Sequence, residues 1–425
     1  MGEPPTVPLP ARTAVGALAW RSVAAVSAAA ARLAGAPPPE PDPHRIAVSY
    51  TSERWLEVDG AKPRAFAPLS GFFRASDAWV RTHANYPHHA DALRRALALS
   101  PDAGPADLEV ALLRRTATQA ASAVVAEGGL CVEVRAESHE VDASLKRETL
   151  VRVERLADAP AAPLPRPSVA SPLAGVRVLD LTRVIAGPVA TRNLALLGAD
   201  VLRVDSPRLP EIDWQHLDTG HGKRSTLLDL GDHRDRSRFD ALLADADVVV
   251  TGYRAGALAR LGLTPTRLAA GIADGRRGLV VARLSAWGDD RRGFDSLVQA
   301  ASGISWLESN DGEAPGALPA QALDHSAGHL LAAEILCALE RRASIGGSWL
   351  VETSLRRIAA ELLGMPRADA GEASIDLVSD STGHLQQFTV DGIALTTTAP
   401  ALSYPGGPAL YAPPRRWGGD APGWL

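Results

Sequence analysis

Asp324 is the residue of this 425-residue chain that is best placed for covalent chemistry. It lies in PAQALDHSAGHLLAAEILCALERR, directly before a predicted long helix over 325–342. The position is typical of a helix N-cap, whose carboxylate accepts hydrogen bonds from free helix N–H groups. It also suits a nucleophile, because the helix dipole favours the ionised carboxylate and carboxylates can form covalent intermediates. The two interpretations are compatible, so Asp324 is a candidate for both roles.

A second group of candidates consists of cations near the ends of predicted strands. In an open α/β sheet, ligands bind beyond the carboxyl ends of the strands, where Arg can hold phosphates through paired hydrogen bonds. For any single residue, solvated surface charge is the alternative interpretation. Lys223 is unusual because the only other lysines are Lys62 and Lys146. The candidates are Arg203, Lys223, Arg224, Arg254 and Arg260.

Three histidines cluster in HANYPHH and raise the question of a metal site. No Cys or carboxylate accompanies His83, His88 and His89 at the spacing of metal ligands, so a polar edge or a pocket-lining role is favoured. The two cysteines, Cys131 and Cys337, lie in unrelated sequence contexts. We therefore expect no metal site and no disulfide framework, and the cysteine usage favours a reducing compartment.

A βαβ unit in the middle of the chain must position several of these residues. An apolar strand over 176–181 leads into a turn with Gly187, and a helical run then precedes a second strand over 199–205. The helix N-terminus after the turn suits an anion. A dinucleotide site is the alternative, because Asp205 ends the second strand where a ribose-binding acid would lie. However, only one of the three glycines that this site requires is in the turn.

Strands and helices continue to alternate after this unit, which predicts an α/β fold with a doubly wound, parallel, Rossmann-like sheet. The strand candidates are 176–181, 199–205, 225–230, 247–253 and 279–285. Pro-rich stretches divide the chain into four predicted parts. These are an Ala/Pro-rich arm over 1–44, read as a surface helix or loose arm, a smaller α+β domain over 45–157 placed N-terminal to the sheet, a Pro-rich linker over 158–172, and the core with a Gly/Pro-rich tail over 173–425.

The composition excludes several classes of function. The chain is 46% hydrophobic and 22% charged, as in ordinary globular proteins. Its net charge of −5 and the lack of a basic run argue against nucleic-acid binding. An Ala-rich stretch over 14–36 is interrupted by Arg21 and Arg32 and is too polar to span a membrane. We therefore expect a soluble, cytoplasmic protein.

Residues 172–365 resemble the family III CoA-transferases, the group that includes formyl-CoA transferase, carnitine CoA-transferase and the α-methylacyl-CoA racemases. The resemblance rests on many ordered blocks with consistent spacing. In order, they are PLAGVRVLDLTRVIAGPVATRNLALLGADVLRVDSP, GKRSTLLDL (222–230), DADVVVTGYRAGALARLGL (245–263), LSAWG (284–288), GFDSLVQAASG (293–303) and the Asp324 helix with ERRASIGGSW (340–349).

The resemblance implies an acyl-CoA:carboxylate CoA-transferase, with acyl-CoA and a small carboxylic acid as substrates and no tightly bound cofactor. In such enzymes an aspartate at the position of Asp324 attacks the thioester and forms an acyl-aspartyl anhydride. It then forms an aspartyl-CoA thioester and passes CoA to the acceptor acid. A homodimer is also implied. The implied CoA contacts are Val184 and Ile185 in the first turn, Arg203, Lys223, Arg254 and Arg260 at the nucleotide and phosphates, and Leu261 at the adenine.

The chain also departs from the family pattern. The usual NxRPG reads GYRAG over 252–256, the usual Asn before Lys-Arg is Gly222, and the Gly-rich loop that covers the aspartate in formyl-CoA transferase has no counterpart. A non-catalytic CoA-binding homologue is therefore one alternative. A racemase is another, but racemases of this family pair the aspartate with a His whose position is occupied here by Phe294, which carries no proton.

The smaller domain resembles another part of the same family. RASDAWVRTHANYPHHADALRRAL and RVERLADAP look like the part of a family chain that normally follows the nucleophile helix. We therefore expect a fused or permuted member, in which the smaller domain precedes the core. This expectation requires residues 45–157 to lie close to Asp324.

Overall fold

The computed structural model describes residues 5–252, 255–270, 277–367 and 376–425. The helices of this part of the chain are α1 (Val15–Ala34), α2 (Pro43–Tyr50), α3 (Ser52–Trp55), α4 (Pro87–Ala96), α5 (Pro105–Leu113), α6 (Ala117–Ala126), α7 (His139–Lys146), α8 (Ala186–Leu196), α9 (Asp213–Thr219), α10 (His233–Ala244), α11 (Ala255–Arg260), α12 (Pro265–Ala270), α13 (Asp295–Ser302), α14 (Ile304–Leu307), α15 (Ala322–Ile345) and α16 (Leu355–Leu363). The strands are β1 (Glu57–Val58), β2 (Gly71–Arg74), β3 (Trp79–Thr82), β4 (Cys131–Glu133), β5 (Arg152–Ala157), β6 (Arg177–Leu181), β7 (Asp200–Asp205), β8 (Arg224–Leu227), β9 (Val248–Thr251), β10 (Val280–Ser285), β11 (Ser348–Ser354), β12 (Leu385–Val390) and β13 (Ile393–Thr398).

Seven strands form the central sheet in the order β5-β11-β10-β9-β6-β7-β8. All neighbouring pairs are parallel except β5 with β11, which is antiparallel. The chain moves outward from β6 to β8 and then continues on the other side of β6 with β9 to β11. The sheet is therefore doubly wound, with its switch point between β6 and β9. The predicted Rossmann-like α/β fold is confirmed, and the five strand candidates correspond to β6 to β10.

Apolar layers cover both faces of this sheet, because successive strand residues point to opposite faces. Val178 of β6 packs in a layer with residues of α8, α15 and α1. Its neighbour Leu179 packs in the opposite layer with residues of α10, α11 and α12. The turns at the carboxyl ends of the strands are thereby held between two rigid helix layers.

The N-terminal stretch is not the surface helix or loose arm that we expected. Helix α1 packs along α15, and Leu18, Val23 and Val26 are fully buried. Its many alanines permit close helix packing, and Arg32 pairs with Glu340 of α15 at 2.9 Å. That prediction was wrong because alanine contributes little to an apolar pattern yet packs well against another helix.

A smaller α+β unit precedes the central sheet in the chain, as predicted. Strands β2, β3 and β4 form an antiparallel sheet that packs with α4, α5 and α6 around an apolar cluster of its own. A third sheet pairs β1 with the hairpin of β12 and β13 from the tail. The predicted boundaries of the four parts stay a prediction. Strand β5 precedes the predicted linker in the chain and pairs with β11 of the central sheet. In the part of the chain that the structure describes, no helix has both the length and the apolar character needed to cross a membrane.

Candidate active site

Two cavities meet at Asp324, beside the switch point of the central sheet. The larger, which we call the cleft, has a volume of about 460 Å³. The smaller, which we call the chamber, has a volume of about 50 Å³. Both are bordered by Tyr86, Val184, Ile185, Phe294 and Asp324. The cleft is also lined by His88, His89, Leu130, Leu181, Thr182, Arg183, Ala186, Gly187, Leu209, Gly252, Ala257, Leu284, Ser285, Ala286, Asp289, Arg291, Arg292, Gly293 and Leu355. The chamber is also lined by Ser52, Glu53, Ala65, Phe66, His83, Asn85, Ile212, Trp214, Gln215, Asp218 and Gln321.

Asp324 lies inside the first turn of α15 and is not its N-cap. The helix begins at Ala322, and the residue before it, Gln321, makes no capping side-chain hydrogen bond. The backbone N–H of Asp324 donates instead to Oδ2 of Asp295 at 2.9 Å. Asp295 of α13 therefore caps the long helix from outside, while the Asp324 carboxyl borders both cavities.

Both carboxyls are costly to ionise in this buried position. Burial raises the pKa of Asp324 well above its usual range, and the nearby charge of Asp295 raises it further. Burial also raises the pKa of Asp295 to about 6, although hydrogen bonds from the Asp324 N–H and the Gln299 side chain oppose this effect. Desolvation and the neighbouring acid thus outweigh the helix dipole that we expected to keep Asp324 ionised.

The turn between β6 and α8 forms the wall that the two cavities share. Val184 has a φ of 72°, in the left-handed region that a β-branched residue rarely adopts. A Cβ at Gly187 would lie 2.4 Å from Cβ of Thr182, so only glycine fits there. The predicted CoA contacts Val184 and Ile185 therefore lie together on a strained turn next to Asp324.

Arg203 is buried in an ion-pair network that supports this turn. Its guanidinium contacts Oδ2 of Asp205 at 2.6 Å and Oε2 of Glu211 at 2.7 Å. Although burial alone would raise the pKa of Glu211, Arg203 and Arg183 lower it to about 2. Glu211 in turn accepts the backbone N–H of Val184 at 3.3 Å. Arg203 borders neither cavity and acts on the turn through Glu211.

Lys223 is also buried, so solvated surface charge is the wrong interpretation for it. Its Nζ donates to Oδ2 of Asp180 at 3.1 Å, to Oγ1 of Thr191 at 2.7 Å and to the carbonyl of Pro188 at 3.0 Å. Burial lowers the pKa of Lys223 to about 8, and Asp180 offsets part of this effect. Lys223 thus ties the end of β6 to the first turns of α8.

The remaining predicted CoA contacts lie farther along the chain. Arg254 is outside the described residues. Arg260 is exposed at the end of α11, and Leu261 packs against the apolar layer on the α10 face of the sheet. Neither residue borders the cleft or the chamber, and their contact with CoA stays a prediction. Arg224 pairs with Asp200 at 2.7 Å, beneath the C-terminal tail.

The cleft contains three arginines that the sequence reasoning missed: Arg183, Arg291 and Arg292. Arg183 directly precedes Val184, so its place in the turn was a usable signal. The other two lie in the short stretch between 288 and 293, whose path depends on how β10 leads into α13. They bring guanidinium groups to the cleft that Arg203 and Lys223 do not supply, and two of them form ion pairs, Arg183 with Glu211 and Arg291 with Asp289.

The histidine cluster lines the cavities, which confirms the pocket-lining interpretation. His88 and His89 border the cleft, and His83 borders the chamber. The His83 ring stacks on Phe294 with a centroid distance of 3.9 Å and an interplanar angle of 4°. Burial, with help from His89 and Arg81, lowers the pKa of His83 to about 3, so its imidazole is neutral. Among the described residues, no group of three or more His, Cys, Asp or Glu side chains is arranged to hold a metal ion.

Asp205, the acid that a dinucleotide site would require, already accepts hydrogen bonds from other side chains. Asp205 is 2% exposed. Its Oδ2 accepts a hydrogen bond from Arg203 and another from the indole N–H of Trp417 at 3.0 Å. With both donors in place, Asp205 has little capacity left for a ribose hydroxyl.

The fold and the site thus define a doubly wound α/β protein with a buried carboxyl at its switch point. Residues 173–382 match the model of CoA-transferase family III. This match confirms the resemblance to the family that the sequence blocks show over the same part of the chain. The matched range contains both the β6–α8 turn and the Asp324 helix.

Individual relatives match a similar part of the chain. An acetyl-coenzyme A transferase of Hypoxylon pulicicidum is 37% identical over 194 residues, which is 43% of this chain and 32% of the relative. A formyl-CoA:oxalate CoA-transferase of Streptomyces avermitilis is 31% identical over 205 residues, 45% of this chain and 49% of the relative. The solved structure of a hypothetical protein from Mycobacterium tuberculosis is 32% identical and covers 45% of this chain and 57% of its own, with a TM-score of 0.42. The chain spans about half or less of the length of these two curated relatives.

Proposed function

We propose that this protein is an acyl-CoA:carboxylate CoA-transferase with Asp324 as its nucleophile. The observation that carries the proposal is the position of the Asp324 carboxyl on the border of both cavities. The cleft is within the size range of small-molecule sites and carries arginines that suit phosphates. The chamber adjoins the same carboxyl and offers room for an acyl group.

The proposed reaction proceeds through four bond exchanges at Asp324. Its carboxylate attacks the thioester carbonyl, and CoA leaves as the thiolate, which gives an acyl-aspartyl anhydride. The thiolate then attacks the aspartyl carbonyl of the anhydride and releases the donor acid as a carboxylate. The acceptor carboxylate attacks the resulting aspartyl-CoA thioester, which forms a second anhydride and frees the thiolate again. Attack of this thiolate on the acceptor carbonyl yields the new acyl-CoA and restores the Asp324 carboxylate.

Asp324 must be ionised to attack, and its surroundings make the ionised form costly. A carboxylate that has little hydration is more nucleophilic than one in water, so the same burial that raises its pKa favours attack once the proton has left. Asp295 holds the N–H of Asp324 and thereby fixes the backbone from which the nucleophile projects. Asp295 is a positioning residue in this proposal.

We place the pantetheine arm of CoA in the cleft, along Val184 and Ile185. Its phosphates would lie at the arginine-bearing rim formed by Arg183, Arg291 and Arg292, which all line the cleft. We retain Arg254 as a further proposed phosphate contact, because Gly252 and Ala257 on either side of it in the chain line the cleft. In this placement Arg203 and Lys223 support the turn and do not touch CoA.

We further propose that the smaller N-terminal unit completes the site, as in a permuted member of the family. Glu53, Phe66, His83, Asn85 and Tyr86 all border the chamber, so this part of the chain supplies much of the wall around Asp324. The domain layout with an N-terminal unit over 45–157 belongs to the same proposal. The family resemblance adds a homodimer, which sedimentation equilibrium of the purified chain tests directly.

Trapping of the acyl-enzyme tests the function. The protein is incubated with a panel of acyl-CoA esters, quenched with hydroxylamine and digested, and the peptide that contains Asp324 is examined by mass spectrometry for a hydroxamate. We expect the label on Asp324 and its absence in Asp324→Ala. Asp213→Asn is the matched control, because Asp213 is an exposed carboxyl of α9 that borders neither cavity. Full transfer activity in Asp324→Ala would refute the proposal.

Two alternative functions make different predictions in related assays. A non-catalytic CoA-binding protein would bind CoA but give no hydroxamate with any ester. A racemase would exchange the α-proton of a 2-methylacyl-CoA with deuterated water, and His83 is the imidazole that borders the chamber with Asp324. The transferase proposal predicts label on Asp324 without α-proton exchange.

A further inference from the structure

The chamber has a composition that restricts the acyl groups it can receive. Three carboxyl side chains border it: Glu53, Asp218 and Asp324. Among the described residues that line it, none is a lysine or an arginine. His83 adds no positive charge, because its lowered pKa of about 3 keeps the imidazole neutral. The chamber therefore has acidic groups without a balancing cation on its walls.

One neighbouring cation offsets part of this acidity from behind the wall. Arg192 does not line the chamber, but it donates to the backbone carbonyl of Asp218 at 2.8 Å, and its charge opposes the rise in the pKa of Asp218 that burial causes. The Arg81 guanidinium lies 4.8 Å from the centre of the Phe66 ring and is not itself a lining residue. Asp218 accepts a hydrogen bond from the Ser52 hydroxyl at 2.7 Å on Oδ2, and its Oδ1 is buried without a hydrogen-bond partner. An unpaired carboxylate oxygen calls for a hydrogen-bond donor and repels another anion.

The size of the chamber sets a second limit. Its volume is about 50 Å³. The cleft has about 460 Å³ by the same measure, so the chamber has room for a much smaller group than the cleft. A short acyl group such as acetyl or propionyl therefore suits the chamber better than an unbranched medium-length chain.

We propose that the chamber selects short acyl groups with uncharged tails and discriminates against dicarboxylic acids. This inference rests on the proposed function, since it assigns the acyl group to the chamber and CoA to the cleft. A second carboxylate would enter a space bordered by three acidic side chains and would have to bring a proton with it. Burial raises the pKa of Glu53 to about 7 and that of Asp218 above its usual value, so the repulsion is expected at about pH 8.5, where Glu53 is ionised, and the rates below are measured there.

Single-turnover acylation of the full chain, trapped with hydroxylamine, tests the selection. The esters are acetyl-, propionyl-, isovaleryl-, malonyl- and octanoyl-CoA. The branched end of isovaleryl has the shape of the malonyl carboxylate without its charge, so this pair isolates charge from size. We expect acetyl and propionyl to react fastest, and malonyl to react at least about tenfold more slowly than isovaleryl. Octanoyl is expected to be slower than propionyl by a similar factor.

A double variant identifies the source of the discrimination. Glu53→Gln with Asp218→Asn keeps the shapes of both side chains and removes their charges, so we expect the malonyl-to-isovaleryl rate ratio to rise about tenfold. Asp213→Asn removes an exposed carboxyl from the same helix as Asp218 and should leave this ratio unchanged.

The possible outcomes separate this inference from the proposed function. If Asp324 is labelled but malonyl reacts as fast as isovaleryl, or octanoyl as fast as propionyl, the chamber does not select as inferred and the transferase proposal stands. If no ester labels Asp324, the proposed function fails and the inference fails with it. The wild-type rates decide between these results even if the double variant does not fold.

Discussion

The cleft and the chamber border the same carboxyl but are built from different parts of the chain. The cleft is lined mainly by the turns that follow β6, β9 and β10, whereas the chamber is lined mainly by N-terminal residues and by α9. Among the described residues, the cleft is lined by three arginines and by the carboxyls of Asp289 and Asp324, whereas the chamber is lined by three carboxyls and by no arginine or lysine. In our proposal the core over 173–425 binds the CoA moiety, which every CoA ester shares. The N-terminal unit contacts the acyl group, which differs from one ester to the next.

Replacement of Asp324 is expected to have the largest effect on activity, because its carboxyl borders both cavities. We expect Asp324→Asn to lower CoA transfer by at least about 10³-fold, since the amide cannot act as the covalent nucleophile. CoA binding, measured by isothermal titration, should change little because the arginines of the cleft remain. A variant that lost binding as well would show that Asp324 shapes the cleft and does not act as a nucleophile.

The cleft alone is tested by Arg291, which is exposed at its rim and pairs with Asp289 at 2.8 Å. Arg291→Gln should raise KM for acyl-CoA about tenfold with little change in kcat, because a lost charge-assisted contact to a phosphate weakens binding of substrate and transition state alike. Steady-state kinetics with a short acyl-CoA measures the effect. The ranking of acyl groups should stay the same in this variant. An altered ranking would contradict the division between cleft and chamber.

The two regions also differ in how far the sequence could predict them. The cleft turn was predictable, because a buried strand, Gly187 and a helix start are local signals, and the alternation of strands and helices predicts the doubly wound sheet. The chamber was not, because it forms only when α3, the loop around Phe66 and α9 meet Asp324. No local pattern in Glu53 or Asp218 shows that these residues, 165 positions apart in the chain (218 minus 53), border one cavity.

Charged residues show a related limit of sequence reasoning. Arg203 lies near the carboxyl end of β7, whereas Lys223 directly precedes β8, and in both cases the acidic partner decides what the cation does. Arg203 pairs with Glu211, and Lys223 pairs with Asp180, so each stabilises the turn between β6 and α8. The sequence shows the cation and gives no information on the buried acid that it will meet across the sheet.

Asp295 affects both the position of Asp324 and its ionisation, and one substitution distinguishes these two effects. Asp295→Asn keeps an oxygen that can accept the Asp324 N–H and removes the neighbouring charge that raises the pKa of Asp324. We expect the midpoint of the pH profile for single-turnover acylation to move to lower pH. At about pH 6 the variant should react several-fold faster, relative to its own plateau, than the wild type. An unchanged midpoint would mean that Asp295 does not control the ionisation of Asp324.

The smallest expected effect is on stability. The pKa of Asp324 is raised in the folded protein, so the folded state holds this proton more tightly than the unfolded chain does. Its contribution is therefore favourable below the unfolded pKa and is lost as the pH rises toward the folded pKa. At neutral pH the wild type carries this cost, and Asp324→Asn should be more stable by about 1 kcal/mol. Urea unfolding at about pH 7.5 measures the gain, and at about pH 4, near the unfolded pKa, the gain should largely disappear. Equal gains in the free energy of unfolding at both pH values would show that the amide stabilises through packing. They would contradict the inference that ionisation of Asp324 destabilises the folded protein.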